Sequence, residues 1–330
     1  MITTRRINLR TRENSVSISD LESLIQSWTD CATYRKYSKD TITMMRYIVG
    51  KLQWWMEHTG NASVGQAEIQ AFLAYAGGPA PKEGRWGKKD EHRENRPRTV
   101  TTYWERLKTL FNWGVEQEMI LSSPMNKIKA PVARPDQIQP FTEQQIVSIL
   151  DAAKKTKNPV RNRAICLLLV DTGIRANELC TLQVQDLDLN NMRAKVLGKG
   201  NKHRTVYFRE ATAEVLRCYL SEQSRRLTDP VFLGERGGQM TPSGLLQLME
   251  RLGKAAGLTG TRCSPHTFRH TASLWALRGG MNAYALQQML GHTDLAMTRR
   301  YVAMAEGDLE AQHHLYSPVQ HLMQCRPDAF

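Results

Sequence analysis

Apolar residues recur at helical spacing through the first third of the chain. They do so between Ile18 and Trp28, and again along a longer stretch that Ser38 is suited to cap. A short helix is expected over Ala67–Tyr75, before a glycine- and proline-rich loop, and a fourth over Arg98–Glu118. Four helices predict an all-α first domain over residues 16–121.

Two segments lack this periodicity. Residues 1–15 are polar and basic, which is typical of a flexible arm. Residues 122–140 contain four prolines and few periodic apolar positions, and we interpret them as a linker between two domains.

The second half combines helices with one small region of β-structure. Thr142 and Gln145 form a capping-box pattern, and the pairs Ser264-Pro265 and Thr241-Pro242 are typical helix starts. Two strands flank a Gly-Lys-Gly-Asn turn and are the only strands expected. Further helices are expected near 158–171 and 175–182, and a last one begins near 293. The pattern predicts a mainly α fold with a small β-sheet, with a second domain over 141–316 and a tail over 317–330.

The amino-acid composition limits the classes of partner that the protein is expected to bind. The chain has 330 residues and a formal net charge of +13, so a polyanion is the expected partner. Charge alone leaves nucleic acid and an acidic membrane surface open, but no apolar run approaches the roughly 18–20 residues of a spanning helix. The N-terminus has no apolar signal-peptide core, so we expect a cytoplasmic protein. Six cysteines without a C-x-x-C pair are expected to be reduced, mostly in the core, rather than zinc ligands.

One predicted helix carries an unusual polar face. At 100° per residue, His266, Arg269, His270 and Ser273 share one side of the helix that begins at Ser264, and the apolar side is expected to be buried. Free N–H groups at a helix start favour an anion, and a guanidinium can bind two phosphate oxygens. The alternatives are surface or capping histidines, or a zinc site, for which the H-E-x-x-H glutamate is missing.

Other candidates are scattered along the chain. Arg175 stands at a fresh helix start with Glu178 in reach, and Lys199 stands at the predicted hairpin tip. Each taken alone also fits a surface ion pair or a solvated turn lysine. Tyr301 follows His292 and two arginines. This set could bind a phosphodiester and attack it with a phenol oxygen. It consists of two arginines, a lysine, two histidines and a tyrosine.

These motifs give the chain a family resemblance. The segments TGIRANEL, GKGNKHR, HTFRHT and LGHTDLAMTRRY occur in the order and spacing of the tyrosine site-specific recombinases, which include phage integrases and Xer recombinases. The similarity spans roughly residues 140–316. The first domain, through SKDTITMMRYIVGKLQWW and RTVTTYWERLKTLFNWGVEQEMI, resembles the family's core-binding domain. The departures are TGIR in place of TGLR and a long loop over 77–97, and we expect no additional arm-site domain.

The resemblance implies a reaction and roles for the residues. Tyr301 would be the nucleophile, forming a 3′-phosphotyrosyl bond without a metal or another cofactor. Arg175 and Arg269 would neutralise the phosphate, Lys199 would protonate the leaving oxygen, and His266 and His292 would assist. Glu178 would orient Arg175, and His270 is assigned a structural role.

The resemblance also implies partners. Double-stranded DNA would be held in a two-domain C-shaped clamp, and a homo-tetramer on paired sites would form through the C-terminal tail, with accessory DNA-bending or directionality proteins. The expected function is site-specific recombination for a mobile element through a Holliday junction. The alternatives are a type IB topoisomerase or telomere resolvase, and a non-catalytic DNA-binding regulator. The candidate DNA contacts are Lys39, Arg46, Arg98, Thr99, Arg106, Lys108, Lys202 and Arg204.

Overall fold

The computed structural model describes residues 15–82, 84–87, 94–132, 139–198, 203–291, 298–299, 301–302, 313, 317 and 319. The chain divides into two compact units, Met1–Asp136 and Gln137–Phe330. The division lies within the segment 122–140 that the sequence analysis interprets as a linker. Each unit has its own hydrophobic core.

The first unit is helical with one very short strand pair. Ser17 and Ser38 cap two of its helices by accepting a hydrogen bond from a backbone N–H three residues later. The elements of this unit are β1 (Val16–Ser17), α1 (Ile18–Tyr34), α2 (Lys39–Thr59), β2 (Ser63–Val64), α3 (Gln66–Gly77) and α4 (Pro97–Glu116). Strand β1 pairs antiparallel with β2, with Val16 opposite Val64.

The second unit packs helices around a central pair and adds a small antiparallel sheet. The elements of this unit are α5 (Glu143–Lys154), α6 (Pro159–Thr172), α7 (Ala176–Thr181), β3 (Leu187–Asp188), β4 (Arg193–Leu197), β5 (His203–Tyr207), α8 (Glu210–Ser221), α9 (Pro242–Ala255), α10 (Pro265–Arg278) and α11 (Ala283–Leu290). The sheet has the order β3-β4-β5, and β4 pairs with β5 in the register Lys195 opposite Thr205.

Helices α6 and α10 form the centre of the second unit. They pack against each other, and α6 also contacts α5 and α8. The hydroxyl of Thr271 on α10 accepts a hydrogen bond from the backbone N–H of Phe141 at 2.8 Å, and the ring of Phe141 lies 5.0 Å from that of Phe268. The first half of α10 is therefore held by the start of its own unit.

The mainly α fold with small sheets is confirmed. The expectation of a single pair of strands is wrong, because β1, β2 and β3 are also present. Each has only two residues, too few to show the alternation by which a strand is recognised in a sequence. Among the residues that the structure describes, no helix has the length and apolar character needed to cross a bilayer.

Candidate active site

The first residues of the site follow a tight turn at the end of α6. Gly173 ends the helix in the left-handed conformation at a φ of 61°. A Cβ at this position would lie 3.0 Å from the side chain of Leu290, so only glycine fits without displacement. The turn leads directly to Arg175, which stands at the N-cap of α7.

Arg175 is held by two partners. Its Nη1 donates to Glu178 Oε1 at 2.9 Å, its backbone N–H donates to Oε2 of the same carboxylate at 2.9 Å, and its Nη2 donates to the carbonyl of Gly291 at 3.0 Å. The Arg175 side chain is 33% exposed, whereas that of Glu178 is 3% exposed. Glu178 and Gly291 thus orient Arg175, while part of its side chain stays accessible to a ligand.

The second arginine is more deeply placed. Arg269 on α10 donates from Nη1 to the carbonyl of Gly173 at 2.6 Å and from Nη2 to that of Leu290 at 2.7 Å. Burial, and then the nearby charge of Arg175, lower its pKa to about 10, while Glu178 and Tyr301 act in the opposite direction. The group remains a cation at neutral pH, close to both Arg175 and the phenol.

Two histidines of α10 lie next to each other, and the ring of Tyr301 packs on one of them. The Nε2 atoms of His266 and His270 lie 2.9 Å apart, and the ring of His270 packs on that of Tyr301 with centroids 5.1 Å apart. His266 is exposed, whereas His270 and Tyr301 are 6% and 5% exposed. The phenol thus belongs to the same cluster as the second arginine.

The structure adds to one expectation about α10. The apolar side was expected to be the buried one, and Phe268 and Ala272 are buried. Arg269, His270 and Ser273 of the polar side are buried as well. The polar side can be buried because carbonyls at the end of α6 and α11 accept from the guanidinium, and Ser273 Oγ donates to the carbonyl of Arg269 at 2.7 Å.

Arg204 is placed differently from the predicted DNA contacts of the first unit. Its side chain is 12% exposed, and Nη1 and Nη2 donate to the carboxylate of Glu178 at 2.5 and 2.8 Å. Its Nε donates to the carbonyl of Met289 at 2.9 Å. Burial would raise the pKa of Glu178, but the hydrogen bonds from Arg204 and Arg175 outweigh it and lower that pKa.

The sequence analysis did not predict that Arg204 binds Glu178. It also did not predict that carbonyls at the end of α11 accept hydrogen bonds from arginines of the site. The alternation of β5 was a usable signal, because Arg204 lies two residues before the buried Val206 and so shares its face. A glycine directly after a helical pattern is the usual sign of a helix end, and Gly291 supplied that sign.

The remaining predicted residues fall into two groups. Lys199, Lys202 and His292 lie outside the described residues. The others lie on α2 and α4 or, in the case of Lys39, at the first position of α2; the two helices pack against each other. Lys39, Arg46, Arg98 and Lys108 are exposed, and Thr99 and Arg106 are partly buried.

The arrangement has the chemistry of an anion site with a phenol beside it. Two guanidinium groups, a hydrogen-bonded histidine pair and a phenol come from separate segments of the second unit. Within the described part of the chain, no three side chains of the metal-binding types are grouped closely enough to hold a metal ion. The described cysteines are free thiols, and burial raises the pKa of Cys180 to about 11 and that of Cys263 to about 12.

Comparison with known proteins gives a consistent result. Residues 139–307 match the model of the phage integrase family. The chain is 32% identical over 231 residues to tyrosine recombinase XerC of Mycobacterium sp. (strain KMS), which covers 67% of this chain and 76% of the relative. It is 27% identical over 287 residues to tyrosine recombinase XerC of Myxococcus xanthus, covering 84% and 89%.

Two solved structures share the fold. The XerH site-specific recombinase bound to palindromic difH substrate, in a post-cleavage complex, has a TM-score of 0.67 at 20% identity, covering 94% of this chain and 84% of that one. The Tn1549 transposon integrase in complex with a circular intermediate DNA has a TM-score of 0.65 at 20% identity, covering 84% and 94%.

Proposed function

This chain belongs to the phage integrase family and is a tyrosine recombinase, an enzyme of site-specific DNA recombination, and we propose that Tyr301 is its nucleophile. The proposed reaction is a transesterification. The phenol oxygen of Tyr301 attacks the scissile phosphorus, a 3′-phosphotyrosyl bond forms, and the bond to the 5′ oxygen breaks. Because the linkage conserves the energy of the phosphodiester, a free 5′-hydroxyl can reverse the step on the same or another strand.

The observation that carries this proposal is the convergence of two arginines beside the phenol. Arg175 and Arg269 come from different helices and donate to the adjacent carbonyls of Gly291 and Leu290. Tyr301 packs on His270, the residue after Arg269. Tyr301 is also close enough to Arg269 to influence its pKa, so we expect a phosphate bound by both guanidinium groups to lie within reach of the phenol oxygen.

Proton transfer completes the reaction. A phenol has an ordinary pKa near about 10, so its attack at neutral pH needs a base or nearby cations. In the proposed mechanism His266 takes the phenol proton and Lys199 gives a proton to the departing 5′ oxygen. His292 donates a hydrogen bond to the phosphate.

The arginines stabilise the charge that accumulates on the non-bridging oxygens. Their charge is permanent and their planar fork matches two oxygens, which a lysine cannot reproduce. Loss of one such preorganised contact typically costs about 3–4 kcal/mol of transition-state stabilisation. Glu178 acts by orienting Arg175.

Double-stranded DNA is the proposed substrate. Support comes from the two solved relatives that are described as bound to DNA, and from the net charge of +13. The cations on α2 and α4 are the proposed contacts of the first unit, which would close with the second unit around the duplex. Binding should then weaken with salt at a logarithmic slope near about −0.9 per phosphate neutralised.

Strand exchange between two duplexes requires an assembly. The proposed form is a homo-tetramer joined through the C-terminal tail, acting on paired sites of a mobile element through a Holliday junction. Deletion of the residues after Pro318 should preserve DNA binding and impair recombination. Recombination at the undiminished rate would contradict this role of the tail.

The test of the function begins without a known target. A randomised duplex library, nicked to prevent religation, is incubated with the protein in the presence of EDTA, and covalently attached DNA is recovered and sequenced. Two plasmids carrying the selected site are then combined with the protein. Recombinant products from the wild type, and none from Arg175→Lys, support the proposal; failure to recover any attached DNA contradicts it.

A further inference from the structure

The C-terminal end of α11 collects three arginines. They come from the N-cap of α7, from strand β5 and from α10, and each donates to a different one of three consecutive carbonyl groups. A helix C-terminus carries partial negative charge on such unpaired carbonyls, so it favours cations. The pairs are Arg204 Nε to Met289 at 2.9 Å, Arg269 Nη2 to Leu290 at 2.7 Å and Arg175 Nη2 to Gly291 at 3.0 Å.

Two of these arginines are assigned to the phosphate, and the third, Arg204, has a different set of partners. All three nitrogen atoms of the Arg204 guanidinium have a partner within the protein, two on Glu178 and one on Met289. Its side chain is 12% exposed, between the 33% of the Arg175 side chain and the 6% of residue Arg269, so its partners and not its exposure distinguish Arg204. A residue bound in this way is fixed as part of the scaffold of the site.

Arg204 and Arg175 share one carboxylate. Glu178 Oε1 accepts from both guanidinium groups, at 2.5 Å from Arg204 and 2.9 Å from Arg175. Because the Glu178 side chain is only 3% exposed, its charge depends on these partners. A change at Arg204 is therefore transmitted directly to the group that orients Arg175.

The backbone next to α11 is also shaped around Arg204. Gly291 has a φ of 62°, and a Cβ there would lie 2.9 Å from Arg204 Cδ and 3.2 Å from its Nε. The glycine lets the guanidinium approach the chain at the position where its carbonyl also binds Arg175. The side chain of Arg204 and the end of α11 thus fit together without spare volume.

We propose that Arg204 is a positioning residue that fixes Glu178 and the end of α11, and thereby the orientation of Arg175 toward the scissile phosphate. This inference rests on the proposed function and replaces the sequence-based expectation that Arg204 contacts DNA. It assigns Arg204 to the rate of cleavage and not to the affinity for the substrate.

The primary test compares Arg204→Lys with the wild type on the nicked duplex obtained by covalent selection. Lysine keeps the charge but cannot bind both carboxylate oxygens and the Met289 carbonyl at once. We expect the single-turnover cleavage rate to fall at least tenfold, with Kd for the duplex changed less than twofold. An unchanged rate, or a loss of affinity that accounts for the loss of rate at low DNA concentration, would overturn the proposal.

The control is Arg193→Lys. Arg193 lies on the neighbouring strand β4, is 51% exposed and pairs with Asp188 at 2.9 Å, so the same substitution there changes the chemistry of an exposed pair. It should leave both the rate and Kd unchanged. Cleavage is measured well below the lower of the unfolding temperatures, so that a loss of stability is not read as a loss of rate.

A double-mutant cycle tests the route through Glu178. If Arg204 acts by fixing that carboxylate, Glu178→Gln combined with Arg204→Lys should cleave no more slowly than the slower single variant. Multiplicative losses in the double variant would mean two independent effects and would overturn the proposed route.

A modified substrate separates this route from protonation of the leaving group. With sulfur in place of the bridging 5′ oxygen, the leaving thiol has a pKa near about 8.5 and needs no acid. The deficit of Arg204→Lys should persist on this substrate, and its restoration would place the effect on the acid instead of on Arg175. If the wild type itself forms no covalent adduct, the proposed function fails; if only the Arg204 results differ from expectation, this inference fails alone.

Discussion

The Nε2 atom of His270 lies 2.9 Å from the Nε2 atom of His266. A hydrogen bond between these two atoms requires a proton on one and a lone pair on the other, so at least one of the rings is neutral in this geometry. His270 is buried and its ring also packs on that of Tyr301. It therefore stands between the proposed base and the proposed nucleophile, although the sequence alone gave it only a structural role.

The first prediction concerns this histidine pair. His270→Phe keeps a ring against Tyr301 but removes the nitrogen that meets His266. Cleavage should slow by about 10²-fold, at the lower end of the range for acid–base assistance, with binding unchanged. Single-turnover rates from pH 5.5 to 9 should also change shape, because the tautomer of His266 is no longer set. A rate and pH profile equal to those of the wild type would assign His270 to packing alone.

The second prediction concerns Gly291. Gly291→Ala should destabilise the protein by about 1–2 kcal/mol through the left-handed backbone, and slow cleavage because the new Cβ displaces Arg204. Gly237→Ala is the matched control: its φ is 83°, but a Cβ there meets nothing within 4 Å. Thermal unfolding should show similar losses for both variants, whereas only Gly291→Ala should lose cleavage. Equal cleavage by the two variants would contradict the role of the Arg204 contact.

The third prediction concerns pH and Glu178. The folded protein lowers the pKa of this carboxyl, so its contribution to stability is present above the unfolded value of about 4.3 and is lost as the pH falls through the folded pKa. Glu178→Gln should lower the free energy of unfolding by about 3–5 kcal/mol at pH 7. Chemical denaturation from pH 7 to pH 3 should show this difference shrinking toward acid. A difference that stays constant with pH would mean that the charge of Glu178 does not stabilise the fold.

The fourth prediction concerns the first unit. Lys51 Nζ donates to the hydroxyl of Tyr103 at 2.9 Å and lies 4.7 Å from the ring centroid of the buried Trp86. Trp86→Ala should destabilise this unit by about 3–5 kcal/mol, since it removes a packed ring and a cation–π partner. Calorimetry should show the unfolding transition of the first unit at a lower temperature than in the wild type. Tyr34→Ala is the control because that ring is 86% exposed, and an equal shift for both would contradict the packing role of Trp86.

Much of the fold could be predicted from short-range signals in the sequence. The helix starts at Ser38, Thr142 and Ser264 were predicted from side chains that can cap a helix, and in the structure each accepts a hydrogen bond from the N–H three residues later. These signals are short in range and need no knowledge of the tertiary structure. The two-residue strands β1 and β2 had no such signal, since they exist only through pairing between distant residues, Val16 with Val64 and Ser17 with Ser63.

The candidate site was predictable as a set of residues and not as an arrangement. The residue types of Arg175, Glu178 and Arg269 and their positions at helix starts indicated an anion site. That Arg269 spends two donors on the carbonyls of Gly173 and Leu290 could not be predicted, because those partners are distant in sequence. The same holds for Arg204, whose charge pointed to DNA until its burial against Glu178 was seen.

The most direct test of the central claim is a covalent trapping experiment with the wild type and Tyr301→Phe. Each is incubated with the nicked duplex, resolved on a denaturing gel, digested and mapped by mass spectrometry. The wild type should give a DNA adduct on the peptide that contains Tyr301, and Tyr301→Phe should bind the duplex with the same Kd and give no adduct. An adduct that persists in Tyr301→Phe, or that maps to another residue in the wild type, would contradict the assignment of the nucleophile.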